Sequence, residues 1–185
     1  MKVLNVGGGT SRQLPAHYDG WTQLLMDIDP AVKPDICKDA KDLQELQGET
    51  FDAVYCSHNL EHFYKHDVPV VLKGFLHVLN DEGFAEIHVP NLPHLFRELA
   101  SRNQDLDDVW YRISGGAPVT YHDVLYGWNE YMRTGNLFYS HKCGFTAISL
   151  HKNLSEAGFG SVFVAEQGAN LMAKAYKKEG VPCPT

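Results

Sequence analysis

Three consecutive glycines, Gly7, Gly8 and Gly9, follow directly on a short apolar run, Lys2 to Val6. A strand that ends in such a turn lets the backbone approach a ligand without Cβ interference and presents N–H groups to it. Asp27 stands 18 residues after Gly9, beside Ile28 at the end of a second apolar run. A carboxylate there can accept both hydroxyl protons of a ribose. Asp39-Ala40 follows a third extended piece, where an acid and its neighbouring backbone N–H suit an adenine edge. Ser57-His58-Asn59 follows a fourth run, next to the glycine turn across the switch point of a sheet. Singly, each acid reads as a solvated loop residue or a helix cap. Each placed just past an apolar strand, they read together as one adenosine-binding site.

Histidine is the natural general base for a hydroxyl nucleophile, because it titrates near neutral pH. Of the 10 histidines, His58, His88 and His141 are the catalytic candidates, with Asn91, His122 and Trp128 facing a substrate. His58 and His62 are four apart and share one face if the segment is helical. That spacing can ligate a metal, but the sequence places no carboxylate or third histidine with them, and no metal site is expected.

These groups need a scaffold. Short apolar strands alternate with helical patterns, the signature of a parallel α/β sheet. Strands are expected at Val3–Val6, Thr22–Ile28, Asp35–Lys38, Phe51–Cys56 and Phe84–Val89, with a helix-compatible segment at Ser11–Tyr18 after the glycine turn. Beyond Asp67, a plausible N-cap, the residues Val71, Leu72, Phe75, Leu76, Val78 and Leu79 recur at spacings of three and four. Thr146–Ala157 reads as a helix ended by Gly158, and Ser161–Glu166 with Asn170–Tyr176 as an antiparallel hairpin. Between Asn91 and Phe145 the alternation breaks down. One helix is expected there (Leu92–Ser101), and from Trp110 to Phe145 the aromatics crowd. An insert so placed, at about residues 92–145, lies beside the C-terminal strand ends and reads as a lid or substrate-facing subdomain. The plainer alternative is that its aromatics build a small core of their own.

With 185 residues, 44% hydrophobic and 21% charged, a single domain over residues 1–185 is expected. No apolar run reaches the length of a membrane span. A net charge of -7 without a basic stripe argues against nucleic acid as partner. The four cysteines (Cys37, Cys56, Cys143 and Cys183) form no C-x-x-C pair, and the start lacks a secretory pattern. A cytoplasmic protein, monomer or homodimer, is the expectation.

Taken in order, these motifs resemble those of the small class I S-adenosylmethionine-dependent methyltransferases, with a domain like their type 11. Val3-Leu-Asn-Val-Gly-Gly-Gly-Thr-Ser11 is similar to the first motif, Leu25-Met-Asp-Ile-Asp-Pro30 to the second and Asp39-Ala-Lys-Asp-Leu43 to the third. Phe51-Asp-Ala-Val-Tyr-Cys-Ser-His-Asn-Leu-Glu-His62 is similar to the fourth, and Ser155-Glu-Ala-Gly-Phe159 with the hairpin to the family's C-terminal end. The likeness covers residues 1–91 and 145–176. It implies a three-layer, doubly wound, Rossmann-like sheet of seven strands, mostly parallel with the last antiparallel.

The resemblance also implies S-adenosylmethionine as cofactor and S-adenosylhomocysteine as its product. It puts Asn5, Gly7, Gly8 and Gly9 at the methionine part, Asp27 and Ile28 at the ribose, Asp39 and Ala40 at the adenine, and Ser57 and His58 near the sulfonium. His62 falls on a position that orients the loop after the fourth strand. Two residues depart from the pattern: Asn5 replaces the usual acid, and Ser11 the usual third glycine. A dinucleotide-binding reading shares the glycines and the ribose acid but leaves Asp39-Ala40 and the terminal hairpin unexplained. The expected activity is methyl transfer to a small-molecule or glycan-type acceptor. The alternative is a catalytically idle S-adenosylmethionine-binding module with a regulatory or scaffold role.

Overall fold

Alternate residues of a strand point to opposite faces of its sheet, and the two faces of this sheet are buried to different depths. A computed structural model describes residues 1–113 and 115–183. The strands β1 (Lys2–Val6), β2 (Thr22–Asp27), β3 (Ile36–Cys37) and β4 (Phe51–Ser57) lead to the helix α1 (Val68–Val78) and then to β5 (Leu79–Pro90). The insert holds α2 (Leu92–Ser101), a hairpin of β6 (Val109–Arg112) and β7 (Pro118–Thr120), and the short helices α3 (Tyr121–Tyr126) and α4 (Asn129–Arg133). The chain closes with α5 (Ala147–Ala157), β8 (Ser161–Gln167) and β9 (Asn170–Tyr176).

The main sheet has seven strands in the order β3-β2-β1-β4-β5-β9-β8. β1 to β5 run parallel, and β9 lies antiparallel between β5 and β8. The strand order reverses between β1 and β4, the crevice where open α/β sheets bind ligands. None of the helices among the described residues is long and apolar enough to cross a membrane.

On the first face, Leu4, Val6, Val54, Cys56 and Ile87 pack with Val71, Leu72 and Phe75 of α1 and with Leu150 and Leu154 of α5. Full burial stabilises each such side chain by about 1.5–3 kcal/mol. Burial pushes the Cys56 thiol up to about 12, so it acts as a small hydrophobe. Asp67 precedes α1 as expected but makes no capping hydrogen bond. α5 begins with a reciprocal Thr146–Ser149 cap and ends on Gly158, whose φ of 111° suits glycine.

The second face corrects the expectation of a helix at Ser11–Tyr18. Only Ala16–Tyr18 is helical, as one 3-10 turn. Pro15 explains the difference, since it withholds an N–H and keeps Leu14 extended. The segment lies across the sheet instead, with Tyr18 packed on Val3, Ala53 and Tyr55, flanked by Leu14, Trp21 and Phe84. Glu86, nearly buried, anchors it. One carboxylate oxygen accepts from His17 (2.8 Å) and from the Tyr18 hydroxyl (3.0 Å), and the other accepts from His88 (3.1 Å).

The insert leaves the sheet at Asn91 and returns at Phe145, and these two residues form an isolated bridge. Leu95, Val119, Tyr121 and Val124 make its small core. Trp110 stacks on Tyr121 at a centroid distance of 5.3 Å. Part of its aromatic content is thus structural.

Burial alone would raise the Glu86 carboxyl, but the hydrogen bonds from His88, His17 and Tyr18 outweigh it and hold the pKa below 4.5. A depressed carboxyl contributes stability above its unfolded pKa and loses it as pH falls through the folded value. Glu86→Gln should therefore cost on the order of 1–2 kcal/mol at neutral pH and flatten the loss of stability below about pH 4.5. Denaturant midpoints measured across pH check this; parallel acid profiles for the two proteins would refute it.

Candidate functional site

The glycine turn is shaped by its neighbours as much as by its dihedrals. A Cβ on Gly7 would overlap the Asn59 side chain, and one on Gly8 would overlap the Asn5 side chain. Gly7 and Gly9 also have φ of 71° and 57°, a region costly for residues with a Cβ. No atom lies within 4 Å of a Cβ placed on Gly9, so the turn is open there. The Gly9 N–H donates to Asp27 Oδ2 at 3.1 Å, and Asp29 N–H donates to Oδ1 at 3.0 Å. The expected ribose acid is thus fastened to the turn by one oxygen and to its own loop by the other. Asn5 is buried and its Nδ2 has no hydrogen-bond partner among the described residues, beneath the turn. Ser11 caps no helix, because none follows; its Oγ is 3.5 Å from the Gly8 carbonyl.

A cavity of about 240 Å3 opens beside the turn, lined by Gly7, Gly9, Asp27, Ile28, Asp39 and Ala40 among others. Ile28 and Phe138, both substantially exposed, give it an apolar wall beside the carboxylates. Asp39 Oδ1 accepts from the Lys41 N–H at 3.0 Å and caps the 3-10 turn Ala40–Glu45. The donor set suits S-adenosylmethionine: two carboxylates for hydroxyl and amino groups, an apolar slot for a base, and backbone open at Gly9.

A second cavity, of about 280 Å3, lies between the sheet and the insert. Tyr111, Ile113, Val124 and Trp128 line it from the insert, with His141 at its edge, and Pro90 and Asn170 from the strand ends. His58, His62 and Tyr139 line both cavities. His58 has φ of 49°, a left-handed backbone in a residue that is not glycine. Its N–H donates to the His88 carbonyl at 2.9 Å. Such strain clusters at functional sites.

Behind the junction sits Glu61, 1% exposed. Sequence reading passed over it, although an acid between His58 and His62 in one turn was visible. Its Oε1 lies 3.4 Å from His58 Nδ1 and 3.9 Å from His141 Nε2. Burial opposes its ionisation, but His58, His62 and His141 outweigh that and hold the carboxyl below its usual range. Burial would likewise lower His58, but Glu61 raises it above the ordinary histidine value.

The structure brings together Gly7, Gly9, Asp27, Ile28, Asp39, Ala40 and His58 at the first cavity and His58, Trp128 and His141 at the second. Gly8 and Asn5 support the turn from behind, and Ser57 ends β4 just before His58. Three candidates fall elsewhere. His88 is held by Glu86 on the second face of the sheet. Asn91 is buried as the cap of α2, with Oδ1 accepting from the His94 N–H and Nδ2 donating to Glu166 and Gly168. His122 packs against Tyr126 on α3. None of the three is among the residues lining either cavity.

The strand order, the antiparallel β9 and a cavity at the switch point define a class I, Rossmann-like methyltransferase fold. The pattern of a family described as "Methyltransferase domain" matches residues 1–162. The chain belongs to that family. No curated protein matches it in sequence. Among solved structures it is similar to an S-adenosylmethionine-dependent methyltransferase from Archaeoglobus fulgidus, with TM-score 0.62 and 15% identity over 94% of this chain and 85% of that one. It is also similar to an O-methyltransferase family protein from Burkholderia thailandensis, with TM-score 0.59 and 12% identity over 97% of this chain. This chain spans about half (52%) of that protein's length. A third, DhpI in complex with S-adenosylhomocysteine, has TM-score 0.53 and 15% identity over 94% of this chain and 75% of the other.

Asp27→Ala removes the expected ribose partner and also the anchor of Gly9. It should weaken S-adenosylhomocysteine binding by roughly tenfold or more, measured by calorimetry. Asp39→Ala should cost less, because the Ala40 backbone remains. The reverse ranking would move the ribose away from Asp27.

Proposed function

We propose that the protein methylates a small-molecule or glycan-type acceptor held in the second cavity. The observation that carries this is the meeting of the two cavities at His58, His62 and Tyr139. Methyl transfer needs donor and acceptor to approach in line, and alignment supplies several kcal/mol of the barrier. S-adenosylmethionine, when bound, supplies a methyl group on a positively charged sulfur.

Gly7, Gly9, Asp27 and Asp39 hold the donor in this reading, and Ile28 and Phe138 keep water from its base. Tyr111, Val124, Trp128 and Tyr139 offer apolar and aromatic surface that suits an aromatic or sugar ring. An acceptor atom in the second cavity would meet the bound donor at the junction lined by His58, His62 and Tyr139. A hydroxyl acceptor would give its proton to His58, which Glu61 orients. The reading draws further support from the likeness to an O-methyltransferase family protein and to a complex with S-adenosylhomocysteine. The scattered free cysteines support a cytoplasmic location.

Transfer of labelled methyl from S-adenosylmethionine to a panel of hydroxylated aromatics and sugars tests this. Trp128→Ala should raise KM for the acceptor several-fold while leaving S-adenosylhomocysteine affinity unchanged, since Trp128 lines only the second cavity. A wild-type chain that binds neither S-adenosylmethionine nor S-adenosylhomocysteine below the millimolar range would end the reading. So would equal loss of cofactor and acceptor binding in Trp128→Ala.

A further inference from the structure

Glu61 is fully buried; beyond the long 3.4 Å contact with His58 Nδ1, neither of its carboxylate oxygens accepts a well-formed hydrogen bond among the described residues. A buried charge is expensive unless it is paired or ligates a metal. One ligand atom each from Glu61, His62 and His141 lies within 4.8 Å of the others.

The tautomers of both imidazoles follow from their partners. His62 Nδ1 is 3.0 Å from the Ser140 carbonyl, and His141 Nδ1 is 2.9 Å from the Val124 carbonyl. A carbonyl only accepts, so both Nδ1 atoms carry hydrogen. In the neutral rings the lone pair is then on Nε2, and His141 Nε2 is the atom that faces Glu61. An Nδ1–H held by a backbone carbonyl is the arrangement that orients metal-bound histidine.

The backbone fixes the same geometry. The Glu61 carbonyl accepts from the Lys142 N–H at 2.8 Å and the Cys143 N–H at 3.2 Å, and His141 N–H donates to the Tyr126 carbonyl at 3.0 Å. Three donors from two distant segments are thereby held in place before any ion arrives. His62 and His141 both line the second cavity, which leaves a coordination position open on that side.

We propose that Glu61, His62 and His141 bind a first-row divalent cation of the zinc type, opening onto the second cavity. Two imidazoles and one carboxylate with an open position match the donor set of a catalytic rather than a structural site. A cation there would take an acceptor oxygen as its next ligand and lower the pKa of that hydroxyl. This role rests on the methyl-transfer reading; the binding itself does not.

The test uses full-length, tag-free protein dialysed against a chelator and titrated with Zn2+ by calorimetry. One Zn2+ per chain at micromolar concentrations is expected, weakened at least about tenfold in both Glu61→Gln and His141→Ala. S-adenosylhomocysteine binding, read on the same samples, reports that each variant is folded. If Glu61→Gln loses it, His141→Ala decides. Zn2+ bound with undiminished affinity in a folded His141→Ala, as exposed thiols such as Cys37 would bind it, overturns the proposal. So does a wild-type chain that takes up no Zn2+ at millimolar concentration. Loss of S-adenosylhomocysteine binding in the wild-type chain would overturn the methyltransferase reading and leave the metal result standing.

Discussion

The carbonyl of Glu61 accepts two backbone N–H groups from Lys142 and Cys143, and most of the site depends on that join. It fastens the turn after β4 to the end of the insert, across about eighty residues of chain. His141 is thereby set beside His62, with ring centroids 4.8 Å apart. The same join carries Phe138, Tyr139 and Lys142 to the rim of the first cavity. The Asn91–Phe145 bridge, the His62 Nδ1 contact with the Ser140 carbonyl and the Arg97–Glu166 ion pair hold the insert to the same side of the sheet.

The sheet supports this join unevenly. One face carries the large apolar core with α1 and α5, where rigid packing fixes the positions of strand ends. The other carries a thin layer: Tyr18 and its neighbours, tied down through Glu86. A polar anchor suits a segment too short in apolar residues to bury itself. The cavities open at the strand ends, where loops are free to diverge while the strands beneath stay fixed. Asp27 illustrates the coupling, since one carboxylate both closes the glycine turn and faces the cavity.

Much of the architecture was legible because it is local. Apolar runs marked β1, β4 and the Phe84–Val89 part of β5, and the spacing from Val71 to Leu79 marked α1 to one residue beyond its observed end, Leu79 opening β5 instead. The hairpin β8–β9 followed from two short runs around Gly168. A helix-compatible segment was expected at Ser11–Tyr18, but Pro15 interrupts it and only one 3-10 turn formed. At the site, Asp27 and the glycines were readable from their places after strands. His88 and Asn91 were not, because only the register of β5 and the cap of α2 show that their side chains are already engaged.

By itself the sequence determined which residues end strands, and hence which side chains line the first cavity, since strand ends follow from a repeating local pattern. Its two histidines four apart stood without a third donor. Only the tertiary structure brought His141 to Glu61 and His62, because that meeting depends on how an irregular insert returns to the sheet. Hydrogen bonds between backbone groups far apart in the chain leave no periodic trace in residue types, so the lining of the second cavity was decided by folding alone.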